Sequence, residues 1–89
     1  MIEIDFSSSF KKAFKQLLRK NKALERKYWK RVEIFIENPY HPILKCHKLS
    51  GELKELWSFS VAYDCRVIFY FETASKVVFI DIGKHDVVY

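Results

Sequence analysis

The sequence predicts an α+β fold: a two-helix hairpin packed on one face of a twisted, mainly antiparallel sheet of about four strands, with one strand ahead of the helices. Three observations carry this expectation. Apolar residues recur at helical spacing from Phe10 to Ile36, and the pattern changes to period two beyond the prolines of "NPYHPI". The later strand-like runs are joined by links so short that consecutive strands must lie antiparallel.

Taken in order, "IEIDF" alternates apolar and acidic residues, as a half-buried strand does. Ser7, Ser8 and Ser9 then offer N-cap oxygens to a helix whose apolar side is Phe10, Ala13, Phe14, Leu17 and Leu18. Lys20, Asn21 and Lys22 break it. A second helix places Leu24, Tyr28, Val32, Phe35 and Ile36 on one stripe and ends near Asn38, because Pro39 disfavours helical geometry in the residue before it. "LWSFSVAY" sets Trp57, Phe59, Val61 and Tyr63 on one face of a strand and Ser58, Ser60 and Ala62 on the other. Asp64 and Cys65 form a tight connection, "RVIFYFE" is the next strand, "TASK" turns, and "VVFIDI" runs to a turn at Gly83. If the helices cover the aromatic face, the serines line an open face, and Arg66, Ile68 and Tyr70 share one parity on the neighbouring strand. A shallow cationic groove is the expected result.

With 89 residues, 49% hydrophobic and 17% aromatic, the composition is that of one domain, residues 1–89, and too apolar to stay disordered. No apolar run approaches the roughly 20 residues of a membrane span, and "MIEIDFSSSF" lacks the basic-then-apolar layout of a secretion signal. A cytoplasmic protein is expected, with Cys46 and Cys65 as reduced thiols. The net charge of +5 is unevenly spread: residues 11–31 carry ten Lys or Arg against the single acid Glu25, whereas residues 39–89 carry six of each sign. Such a surface favours a polyanion, although a solvated helix face has the same composition.

The chain has only two glycines, so it lacks a phosphate-binding glycine loop, and none of its serines sits in a G-x-S-x-G elbow. Cys46, His47, Cys65 and His85 are of zinc-ligand type but lack the paired Cys-x-x-Cys spacing, and no metal or other cofactor is expected. What remains is His47, Asp64, Arg66, His85 and Tyr89, all near strand ends or loops. Two imidazoles, a carboxylate, a guanidinium and a phenol are the groups that RNA transesterification needs. A base takes the 2′-OH proton, a cation stabilises the phosphorane, and an acid protonates the leaving 5′ oxygen. Histidine can fill either proton-transfer role, and arginine can hold two phosphate oxygens in its planar fork.

The ordered pieces "HKLSGELKELWSFSVAYDCRVIFYF" and "IGKHDVVY" resemble the RelE/ParE superfamily of toxins, in particular its YafQ-like and RelE/StbE-type messenger-RNA interferases. The resemblance covers essentially the whole chain and implies the RelE-like microbial RNase fold. It further implies a toxin that enters the ribosomal A site, cuts messenger RNA there to leave a 2′,3′-cyclic phosphate, and is held inactive by a cognate antitoxin protein. No membrane or small-molecule cofactor is involved. His47 matches the histidine of the H-x-L-x-G motif, Asp64 the carboxylate after the aromatic strand, Arg66 the phosphate-binding arginine, His85 the late catalytic histidine and Tyr89 the C-terminal aromatic. Ser60 departs from the pattern, standing where YafQ-like toxins can have another histidine.

On that reading Lys11, Lys12, Lys15, Arg19, Lys27, Lys30 and Arg31 on the helices, with Lys45, Lys48 and Lys84, would bind RNA of the message and ribosome. Trp29 is a candidate antitoxin contact. Two other outcomes stay open at this level: a ParE-like toxin of the same fold that poisons DNA gyrase, and an inactive module that binds RNA or antitoxin.

Overall fold

The structure, a computed structural model, describes residues 1–49 and 55–84. Strand β1, Glu3–Phe6, leads into helix α1, Ser8–Leu18, and helix α2, Lys22–Glu37. A 3-10 turn at Pro42–Leu44 precedes the short strand β2, His47–Lys48, and three longer strands follow: β3, Trp57–Ala62, β4, Cys65–Thr73, and β5, Lys76–Lys84. The sheet order is β1-β5-β4-β3-β2, with β1 parallel to β5 and every other pair antiparallel. The α+β layering follows the sequence pattern. The two-residue β2 brings the count to five, and a strand so short leaves no periodic signal.

Ser7 caps α1 as expected, and Asn21, expected only as part of the break, caps α2. Ser7 Oγ accepts from Phe10 N at 3.1 Å at the start of α1, and Asn21 Oδ1 accepts from Leu24 N at 3.1 Å at the start of α2. Between helices and sheet lies an aromatic core in which Phe35, Phe59, Phe69 and Phe79 are fully buried. Phe35 stacks on Phe59 at 4.9 Å and meets Phe69 and Phe79 edge-on at 5.1 and 5.6 Å. Such pairs contribute about 0.5–1.5 kcal/mol each beyond their area burial.

Three bulges reshape the simple alternation. Neither hairpin loop, Tyr63–Asp64 or Ala74–Ser75, contains a residue at positive φ, so neither is a primed turn. Each loop is instead preceded by one extra residue, Val61 in β3 and Glu72 in β4. The bulge at Val61 corrects the expected facing: Tyr63 leaves the apolar face for the turn, where it is 102% exposed, and Ala62 packs against the helix-side core. A third bulge, at Ile80 in β5, turns Asp81 away from the core and brings Ile82 into it. The carbonyl of Ile80 is satisfied by Ser9 Oγ at 2.8 Å, which ties the start of α1 to the bulge.

Burial pushes both thiols up to about 11, Cys65 with a smaller push from the Asp64 carboxylate, and Cys46 with Arg66 acting in the opposite direction. The buried Tyr28 phenol is raised by the same desolvation. All three groups hold their protons longer when folded than when unfolded. Stability is therefore complete below the ordinary thiol range and expected to fall as pH rises from about 9 to about 11. Urea midpoints measured across that window would show the decline, and a flat profile would contradict the burial of these groups.

Candidate active site

Arg66 stands on the face of the sheet opposite the helices, directly across from Ser60 on β3 and from Gly83 on β5. Cross-strand partners project from the same face, so Arg66 and Ser60 share a face as the groove required. Arg66 is only 8% exposed. Its Nε donates to Ser58 Oγ at 3.2 Å, and its Nη2 donates to the carbonyl of Lys45 at 3.2 Å. The same Nη2 lies 3.3 Å from His47 Nδ1, which is itself 3.1 Å from the Lys45 carbonyl. Ser58 and Ser60 are buried, so the expected open serine face is a floor beneath Arg66.

This triangle has two hydrogen-bond arrangements. With Nδ1 bare, His47 accepts from Arg66 and carries its proton on Nε2; with Nδ1 protonated, His47 donates to the Lys45 carbonyl and Nε2 offers a lone pair. The second is the form of a general base. Lys45, at φ 48° and ψ 42°, is a non-glycine residue in the left-handed region. That conformation costs roughly 1–2 kcal/mol, and the reversal it makes follows the 3-10 turn, whose first turn is capped by His41 Nδ1 accepting from Ile43 N at 3.1 Å.

Gly83 is not the turn the sequence suggested. It lies inside β5, buried, in register with Arg66. A side chain there would stand beside the guanidinium, so the glycine keeps the space open. Gly83→Val is expected to leave the melting temperature within a few degrees and to lower any activity that depends on Arg66 by about tenfold or more. Equal activity in the two proteins would show that the space is not used.

No protein-family model matches this sequence, and no curated protein matches it significantly. Solved structures do. YafQ from Escherichia coli strain BL21(DE3) aligns over 100% of this chain and 99% of its own, with a TM-score of 0.81 and 22% identity. A copper-bound mutant toxin from Helicobacter pylori aligns over 100% of both chains, with a TM-score of 0.80 and 19% identity. The chain has the RelE-like toxin fold. The Escherichia coli DinJ–YafQ toxin-antitoxin complex is a further match, covering 99% of this chain and 97% of that one at a TM-score of 0.73 and 24% identity.

Within the RelE-like fold, the residues expected from the sequence separate into three groups. His47 and Arg66 are brought together. Asp64 is placed elsewhere: it sits in the β3–β4 loop and lines a cavity of about 300 Å3 with Leu17, Asn21, Leu24, Lys27 and Lys84, on the helix side of the sheet. His85 and Tyr89 lie outside the described residues. Ser60, the departure from the YafQ-like pattern, donates its hydroxyl to the Ala62 carbonyl at 3.0 Å and so stabilises the bulge. Lys11, Lys12, Lys15, Arg19, Lys27 and Lys30 are exposed along the helices, and Lys45, Lys48 and Lys84 are exposed at the sheet. Arg31 differs. It is half-buried and its Nη1 donates to the carbonyls of Ile43 at 3.0 Å and Ser60 at 2.9 Å.

Among the described residues no three His, Cys, Asp or Glu side chains gather where they could hold a metal ion, and no helix is long and apolar enough to cross a membrane. The sequence reading missed Ser58 as the partner of Arg66 and the Lys45 carbonyl as the atom joining Arg66 to His47. The pairing of Ser58 with His47 across β2 and β3 follows only once β2 is recognised, and a main-chain carbonyl has no residue type to mark it.

Proposed function

We propose that this chain is the toxin of a toxin-antitoxin system and that it cuts messenger RNA in the ribosomal A site by attack of a 2′-OH on the neighbouring phosphate. The observation that carries the reading is the buried guanidinium of Arg66 held against the imidazole of His47, in a fold shared with YafQ. Arg66 stabilises the charge that develops on the phosphate oxygens. His47, with Nδ1–H directed at the Lys45 carbonyl, has Nε2 available for one proton transfer, and His85 serves the other. His85 follows Gly83 by two residues, and two residues of extended chain span at most about 7 Å. That reach supports its joining the phosphate held by Arg66.

The bonds balance without any further reactant. The base takes the 2′-OH proton, the 2′ oxygen bonds to phosphorus, the bond from phosphorus to the 5′ oxygen breaks, and the acid protonates that leaving oxygen. The products carry a 2′,3′-cyclic phosphate and a 5′-OH. Tyr89 stacks on a base at the site, while Asp64, on the helix side, takes no part in proton transfer. The exposed helix cations hold ribosomal RNA phosphates in the cytoplasm, and an acidic antitoxin segment competes for them.

Purified ribosomes translating a defined message provide the test, with primer extension to locate cuts. Cuts inside A-site codons support the proposal, whereas an intact message combined with gyrase inhibition would replace it by the ParE-like reading. Reversing the charges of Lys11, Lys12 and Lys15 is expected to weaken ribosome binding and flatten its salt dependence by about three in the log–log slope at most. An unchanged slope would remove those residues from the RNA interface.

A further inference from the structure

We infer that Arg31 is a positioning residue for the Arg66–His47 pair, its guanidinium replacing a missing strand rung between the Pro42–Leu44 turn and the edge of β3. This rests on the proposed RNA-cleaving role of that pair. Strand β2 pairs only His47 with Ser58 and Lys48 with Trp57, so the edge of β3 from Phe59 onward has no strand beside it among the described residues. The 3-10 turn takes that place, and a turn cannot extend a ladder. One nitrogen of Arg31 spans the gap, donating at 2.9 Å to the Ser60 carbonyl on β3 and at 3.0 Å to the Ile43 carbonyl in the turn.

Both ends of this clamp lead directly to the site. Ser60 is the cross-strand partner of Arg66. Ile43 is two residues from Lys45, whose left-handed backbone is closed by its own N–H bonding the Pro42 carbonyl at 3.2 Å. The carbonyl of Lys45 then accepts from Arg66 and faces His47 Nδ1. The clamp's base is firm, because α2 is anchored on either side of Arg31 by buried Tyr28, Val32 and Phe35. Arg31 therefore fixes the height of the Lys45–His47 segment above Arg66. Both hydrogens of its Nη1 are used in doing so, which sets it apart from the exposed lysines around it.

Arg31→Met keeps most of the unbranched apolar stem and removes the donors; Arg31→Lys keeps charge and donors. The readouts are imidazole 15N shifts of His47, single-turnover cleavage at saturating ribosomes, and ribosome affinity. Arg31→Met is expected to move the His47 shifts and slow cleavage by about 10- to 100-fold with affinity within about twofold of the parent, and Arg31→Lys to restore most of the rate. Lost affinity at an unchanged cleavage rate would make Arg31 an RNA contact, and unchanged shifts and rate would make it irrelevant to the site; either overturns the inference. If Arg31→Met does not fold, Arg31→Gln, whose amide ends two atoms short of the Nη1 position, is judged by the same shifts and rate. If the parent protein cuts no RNA, the cleavage reading fails by itself, and the His47 shifts alone decide whether Arg31 positions that residue.

Discussion

Phe79→Ala is expected to lower stability by about 3–5 kcal/mol, most or all of the margin of a domain this small. The ring is fully buried and lies within 5.4–5.7 Å of the rings of Phe6, Phe10, Phe35 and Phe59, so it joins β1, both helices and β3 at one point. Its removal opens a cavity that no single neighbour can fill, since those neighbours are themselves held by other rings. Phe79 is also the last residue before the Ile80 bulge, and its carbonyl accepts from Ser7 N at 3.0 Å. Chemical denaturation monitored by tryptophan fluorescence would measure the loss, and a change under about 1.5 kcal/mol would mean that the core repacks in a way the close contacts do not suggest. Phe79→Leu should recover about half of the stability, because it restores volume without the edge-on ring contacts.

Under the proposed function, Arg66→Ala is expected to have the larger effect on activity. Cleavage is expected to fall by about 10²–10³-fold, the loss typical when a donor to developing charge is removed. The fold should persist with about 1–3 kcal/mol less stability, since Ser58 Oγ and the Lys45 carbonyl lose a buried partner. Arg66→Lys separates charge from geometry. An ammonium keeps the cation but cannot hold Ser58, the Lys45 carbonyl and a phosphate in one plane, so it should recover only part of the rate. Single-turnover kinetics on stalled ribosomes, paired with thermal melts of the same preparations, would separate the two effects. Full activity in Arg66→Ala would leave the site without its cation.

The layers of this molecule were legible because hydrophobic spacing is a direct consequence of burial. Ser7 caps α1 as its chemistry suggests, and Phe35 and Phe59 fall on the faces that helical spacing and alternation assign. The bulges were not legible, and they account for the misplaced details. Val61, Glu72 and Ile80 are ordinary strand residues, and what makes them bulges is the need to close hairpins lacking a glycine at positive φ and to keep Asp81 out of the core. Hence Tyr63 and Ala62 exchanged their expected environments, and Asp64 was carried to the helix side.

In the candidate site, side-chain chemistry identified His47 and Arg66 but not the atoms that hold them together. The Lys45 carbonyl acts through a backbone conformation that lysine does not advertise. Gly83 looked like a turn because glycine so often makes one, whereas here it opens space within a strand. Arg31 belonged, by composition, to a row of solvated cations, and only the gap beside β3 gives it a different task.

The chemistry of the cut ends bears most directly on the claim that Arg66 and His47 hold a reacting phosphodiester. RNA recovered from ribosomes after brief exposure to the parent protein should end in a 2′,3′-cyclic phosphate facing a 5′-OH, with Arg66→Ala giving the same ends far more slowly. Fragments ending in a 3′-OH facing a 5′-phosphate would contradict it, because attack by the neighbouring ribose hydroxyl cannot produce them.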